Sequence, residues 1–246
     1  MKRALVTIFA VLFIDQASKL WIKLTKSLGE SIHVFGWDWF QINFVENPGM
    51  AFGLEFGGMH GKLALSIFRV IAIIAIGYYL WTIIRKKAHP GFIMCVALIL
   101  AGAIGNIIDS AFYGLMFDKG MMWSEMEGRW IPYAGVAELS SDGYAPFLMG
   151  HVVDMLYFPV INGHYPDWFP FVGGEHFTFF RPVFNIADSS ITIGVAIIFL
   201  RQKAFFSHDK KEDEESNSNR DDSALETTPE AANEDSDGEV TGTRNT

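Results

Sequence analysis

Two aspartates suggest the sharpest chemistry in this chain. Asp154 stands in GHVVDMLYF and Asp188 in FNIADSSITIG, each in an apolar setting. Burial raises a carboxyl pKa, because the charged form loses its hydration, and a second carboxylate nearby raises one of the two further. Two such groups brought together can share one proton. The ionised member then acts as general base on a water, and the protonated member donates to a carbonyl oxygen, which together hydrolyse a peptide bond. Spacing alone supports equally well two unrelated buried aspartates, each satisfied by local hydrogen bonds.

Other polar groups fall at similar depths. Asn185 precedes Asp188 by one helical turn. Asn47 lies in ENPGMAFG, where Pro48 and Gly49 force a turn and Gly53 ends the motif. This is either an ordinary turn or a loop that presents Asn47 and backbone groups to an extended peptide. Asn106 and Asp109 share one helix face in GAIGNIIDS, where Gly102 and Gly105 allow close helix contact. Asp15 and Lys19, four residues apart, read as a structural ion pair between helices rather than as catalytic groups. Arg69 sits inside an apolar run, to pair with one of these acids or to snorkel outward. Cys95, the one cysteine, has no activating neighbour in its apolar run and reads as a small buried side chain.

The elements that must position these residues are membrane helices. Half of the 246 residues are hydrophobic, too many for an ordinary soluble domain of this length. Four stretches, 4–22, 62–84, 91–112 and 184–203, approach the ~20 apolar residues a bilayer span needs. The first resembles a signal peptide, but Asp15, Gln16 and Lys19 stand where small residues should mark cleavage, and Leu20 to Ile22 resume the apolar pattern. It reads as an uncleaved helix. Lys2/Arg3, Arg85/Lys86/Lys87 and Arg201/Lys203 flank the spans on one side, so both termini are expected in the cytoplasm. The long loops 23–61 and 113–183 then face outward. The first contains SIHVFGWDWFQINFV, whose alternation predicts a strand or hairpin. The second is rich in Gly, Pro and aromatics, with one short apolar piece, Val152 to Val160. Residues 207–246 hold 13 acidic and 4 basic residues, which is the whole net charge of −9. They are expected to form a disordered acidic cytoplasmic tail after a membrane domain of residues 1–206.

Five motifs in order, DQASK (15–19), NPGMAFG (47–53), GNIID (105–109), VVD (152–154) and FNIAD (184–188), together with this topology, resemble the lipoprotein signal peptidases, or signal peptidase II. The resemblance covers residues 1–203. It implies an all-α membrane protein of four transmembrane helices with a small extracytoplasmic β-cradle, here at residues 31–56, in the bacterial cytoplasmic (inner) membrane. It implies an aspartic endopeptidase that cuts diacylglyceryl-modified prolipoproteins just before the lipidated cysteine. Asp154 and Asp188 match the catalytic pair; Asn47, Gly49, Asn106 and Asn185 match site-lining residues; Asp15, Lys19 and Asp109 match structural polar positions. The implied partners are prolipoproteins and membrane lipid, with inhibition by globomycin, and with no metal, organic cofactor or nucleic acid. Three features depart from the family. Ser110 follows Asp109 where an Arg is usual, which leaves Arg69 or Arg181 as stand-ins. The segments 113–150 and 159–183 are long, and the acidic tail is atypical.

Rival classes fit less well. A membrane transporter or proton-conducting protein could use intramembrane carboxylates, but the inner halves of spans two to four lack acids. A metallopeptidase would need H-E-x-x-H or a third ligand beside His151 and Asp154. A serine peptidase would need G-x-S-x-G. A membrane scaffold leaves the polar motifs unexplained.

Overall fold

A computed structural model describes residues 1–49, 58–159, 161–164, 166–170, 174–179 and 182–225. Gly53, Arg181 and the end of the expected cradle lie outside the described residues. The chain forms two compact units, Met1–Phe205 and Phe206–Thr246.

Helices α1 (Lys2–Thr25), α2 (Gly58–Arg85), α3 (Pro90–Ile108) and α5 (Ile186–Leu225) lie within a residue or two to four of the expected starts. Among the described residues, three helical segments are long and apolar enough to cross a membrane: Lys2–Thr25, Gly58–Arg85 and Pro90–Met116. The last of these includes a π-helical turn, Asp109–Tyr113, and one closing turn, α4 (Gly114–Met116). Helix α5 begins with the apolar stretch expected as a fourth span, and its backbone stays helical to Leu225, into the stretch that composition assigns to a disordered tail.

Helix α1 wears its polarity inward. Phe9 and Phe13 are exposed, whereas Asp15 and Lys19 are completely buried. Water would favour the reverse; a hydrocarbon surround explains it, because ionisable groups must then find partners inside the bundle. Helix α3 is the hub. His89 caps its start, accepting from Gly91 N at 3.1 Å, and Pro90 occupies the first helical position, where no amide hydrogen is needed. A Cβ on Gly102 would lie 2.2 Å from the Ala187 carbonyl oxygen, and one on Gly105 would lie 2.7 Å from Asp15 Oδ2. Only glycine lets α5 and α1 approach α3 so closely.

A four-stranded antiparallel sheet holds β1 (Ser31–His33), β2 (Gln41–Asn47), β5 (Val152–Tyr157) and β8 (Val183–Phe184), in that spatial order. Phe44, Val153 and Met155 pack with Ile22, Tyr113 and Phe117 in one apolar cluster. Opposite β5, β2 carries a bulge: Ile42 faces Leu156 but Val45 faces Asp154, so two residues, Asn43 and Phe44, stand against one, Met155. Two further hairpins, β3 (Met122–Ser124) with β4 (Arg129–Ile131) and β6 (Ile161–His164) with β7 (His176–Phe179), occupy the second loop. The strand or hairpin expected in the first loop is present as the antiparallel pair β1 and β2. The order in the second loop exceeds what its sequence suggests, because strands of three or four residues are too short to show period-two alternation.

Candidate active site

Asp154 sits mid-strand on β5, between β2 and β8, and is 3% exposed. Asn47, the last residue of β2, donates from Nδ2 to Asp154 Oδ2 at 3.3 Å. Its other amide atom is held by the turn that follows: Gly49 N donates to Asn47 Oδ1 at 2.9 Å, with Gly49 at φ 108°, a backbone shape suited to glycine.

Asn185 stands before the first turn of α5. Its Oδ1 accepts from Asp188 N at 2.8 Å, the usual cap of an Asn at that position. That bond turns its Nδ2 toward Asp154 Oδ1, at 2.7 Å, and toward Asn106 Oδ1, at 3.1 Å. Asn106 Oδ1 also accepts from Lys19 Nζ at 3.0 Å, so the Asn106 amide nitrogen must face the other way. It donates to Asp188 Oδ1 at 2.7 Å. Two asparagine amides thus link the two carboxyls, one on a strand and one on a helix. Burial, first, and the Asp188 charge, second, push the Asp154 carboxyl up to about 7, against the opposing pull of Lys19, Asn47 and Asn185.

Beneath this link lies a buried ion cluster. Lys19 Nζ is 2.9 Å from Asp15 Oδ2 and 2.8 Å from Asp109 Oδ2. Asp15 Oδ1 accepts from Ala187 N at 2.9 Å, and Asp109 Oδ2 from Val153 N at 3.1 Å. Gln16 adds a bond to Asp109 Oδ1 at 2.9 Å. The cluster therefore ties α1 and α3 to the first turn of α5 and to the residue before Asp154. Arg69, on α2, lies in the field of Asp188, Asp154 and Asp109, yet forms no ion pair with them among the described residues. Ser110 is buried and donates to Asn106 O at 3.2 Å. A carboxyl that holds a proton near neutral pH, beside a second, half-buried carboxyl, has the parts for general acid–base chemistry.

Residues 7–204 match the family model described as signal peptidase (SPase) II. The chain belongs to the signal peptidase II family. It is 47% identical over 196 residues to a lipoprotein signal peptidase of Porphyromonas gingivalis, covering 78% of this chain and 79% of that protein. A lipoprotein signal peptidase of Amoebophilus asiaticus is 37% identical over 194 residues, covering 78% and 73%. A solved bacterial membrane enzyme, determined by the in meso method, is similar in fold, with a TM-score of 0.50 at 24% identity over 83% of this chain and 90% of that one.

In this signal peptidase II family member the structure brings together Asp154, Asp188, Asn47, Asn106 and Asn185, with Asp15, Lys19 and Asp109 directly behind them. A second buried polar group went unread in the sequence: Lys23, Glu46 and His151, with Tyr133. Lys23 continues the i, i+4 row of Asp15 and Lys19, and Glu46 adjoins Asn47. Nothing in the sequence shows that they meet.

Proposed function

We propose that this protein cleaves signal peptides from diacylglyceryl-modified prolipoproteins, just before the lipidated cysteine, with Asp154 and Asp188 as its catalytic pair. The observation that carries this reading is the amide link: Asn185 to Asp154 and Asn106 to Asp188, both at 2.7 Å. Two carboxyls so held can share one proton and address one water. The ionised carboxylate draws a proton from that water as its oxygen attacks the scissile carbonyl. The protonated carboxyl hydrogen-bonds the carbonyl oxygen and stabilises the developing negative charge. On collapse of the tetrahedral intermediate, the pair returns a proton to the departing amine of the cysteine.

The substrate's lipid fits the setting. Each CH₂ of its acyl chains that enters hydrocarbon contributes roughly 0.8 kcal/mol, so the diacyl group holds the scissile bond at the membrane surface. The enzyme then sits in the bacterial inner membrane as a multi-pass protein. In this reading the apolar first part of α5 is the fourth span, both termini are cytoplasmic, and the described part of the expected cradle, residues 31–49, lies over the outer face. Globomycin, as a blocker of the family, is expected to compete for the same site. The direct test uses reconstituted protein and two synthetic precursors that differ only in the diacylglyceryl thioether. Cleavage of the lipidated precursor alone is expected; equal cleavage of both contradicts the assigned substrate.

A further inference from the structure

Strands β2 and β5 present two faces, because side chains alternate along each. Asn47, opposite Val152, shares one face with Asp154. Glu46, opposite Val153, shares the other with His151. The proposed reaction uses the first face. The second carries a buried cluster to which that reaction gives no part.

Glu46 is 3% exposed. Its carboxylate receives Lys23 Nζ from α1, Tyr133 Oη at 2.9 Å, the Met121 N–H at 3.1 Å and His151 Nδ1 at 3.2 Å. Lys23 also donates to Lys119 O at 3.0 Å, and its ammonium lies 4.9 to 5.4 Å from the rings of Phe117, Tyr133 and Tyr144. The Tyr144 oxygen accepts from His151 N at 2.8 Å. Trp130 sets its ring edge-to-face on His151 at 4.9 Å and carries the Lys62 ammonium at 5.3 Å. Burial holds the His151 imidazole down to about 4, so the ring is neutral and Nδ1 donates. Burial also opposes ionisation of Glu46, but His151 and Lys23 outweigh it and hold the carboxyl down to about 2. The long segment between α4 and β5 thus converges on one ionised carboxylate, one residue before Asn47.

Asn47 ends β2, and the register with β5 breaks on the other side, between Ile42 and Val45. Asn47 itself pairs with Val152 and takes the Gly49 N–H on its Oδ1, and Glu46, the residue before it, is the adjacent side-chain anchor of that strand end. We propose that Glu46 is a positioning residue for the cleavage reaction: gripped from behind by Lys23, His151, Tyr133 and Met121, it holds the end of β2 so that Asn47 stays on Asp154. The inference rests on the aspartic-pair reading above. It gives the 117–144 segment a role in the site without touching substrate.

A double-mutant cycle on the full-length reconstituted protein tests it, with a lipid-modified prolipoprotein as substrate. Glu46→Gln is expected to lower kcat tenfold or more, on the order of what small misplacements near a reacting group cost, with KM changed less than twofold. Asn47→Ala should lower kcat likewise. In both, the limb of the pH profile set by Asp154 should move upward, because an amide donor to its ionised form is lost; the other groups facing Asp154 (Asp188, Lys19, Asn185 and Arg69) are untouched. The double variant should be no slower than Asn47→Ala alone. Tyr133→Phe, which removes one grip and keeps the carboxylate, should show a smaller change of the same kind, and it replaces Glu46→Gln in the cycle if that variant does not fold. Wild-type kcat in Glu46→Gln, or multiplicative losses in the double variant, overturns the proposal. Asp154→Asn runs alongside. If it is active, the aspartic-pair reading fails; if it is inactive while Glu46→Gln is normal, only the positioning role fails.

Discussion

Asn185 shows how few atoms hold the site together. Its oxygen caps α5 through Asp188 N, and that single bond decides which way its nitrogen points, hence what Asp154 meets. Asp154 itself sets the pH behaviour. Its carboxyl is raised to about 7 in the fold, from about 3.9 in a free chain. Between those values the folded protein binds more protons than the unfolded one, so this group's contribution to stability is full below about pH 4 and is lost as pH rises through about 7. The one-proton form of the pair is lost over the same upper limb. We therefore expect kcat to fall as pH rises through about 7, and the thermal midpoint in detergent to decline from pH 4 to 7 less steeply in Asp154→Asn than in the wild type. A flat kcat profile across pH 6 to 8 contradicts the assignment. Asp154, Asp188, Asn106 and Asn185 stood out because each is a polar group in an apolar run, whereas Asn47, in a Pro–Gly turn, stood out only as one of the ordered set of motifs. Glu46 and His151 did not, because their contact runs across β2 and β5, after a bulge that no sequence pattern announces.

At the scale of elements, α3 decides whether the two carboxyls meet. Gly102 lets the first turn of α5 lie against α3, and that approach brings Asp188 within reach of Asn106. A Val side chain there must push Ala187 and Ser190 away. Gly102→Val is expected to abolish cleavage while the protein still inserts in the membrane. Gly77→Ala, where nothing lies within 4 Å, is expected to keep full activity, with both variants scored by precursor processing in membranes. The helices were readable from hydrophobic runs and flanking charge, since length and composition suffice for a bilayer-crossing segment. The short strands β3, β4, β6 and β7 of the second loop were not, because pairing partners rather than local alternation define segments of three or four residues.

For the whole molecule, charge is divided unevenly along the chain. All of the net −9 lies in residues 207–246, and the remainder holds 15 residues of each sign. The site lies wholly within Met1–Phe205, and the family match ends at 204. Truncation after Ser207 is therefore expected to leave kcat and KM for a lipid-modified precursor within about twofold of wild type, as measured in reconstituted vesicles; a tenfold loss would assign the tail a part in catalysis. The central claim, that Asp154 and Asp188 act as one catalytic unit, has a more direct test. Asp154→Asn and Asp188→Asn are each expressed in cells carrying a lipid-modified prolipoprotein, and the precursor-to-mature ratio is read. Both variants are predicted to insert normally and to accumulate uncleaved precursor, the double variant no more than either single one. Processing at the wild-type rate by either single variant contradicts the account.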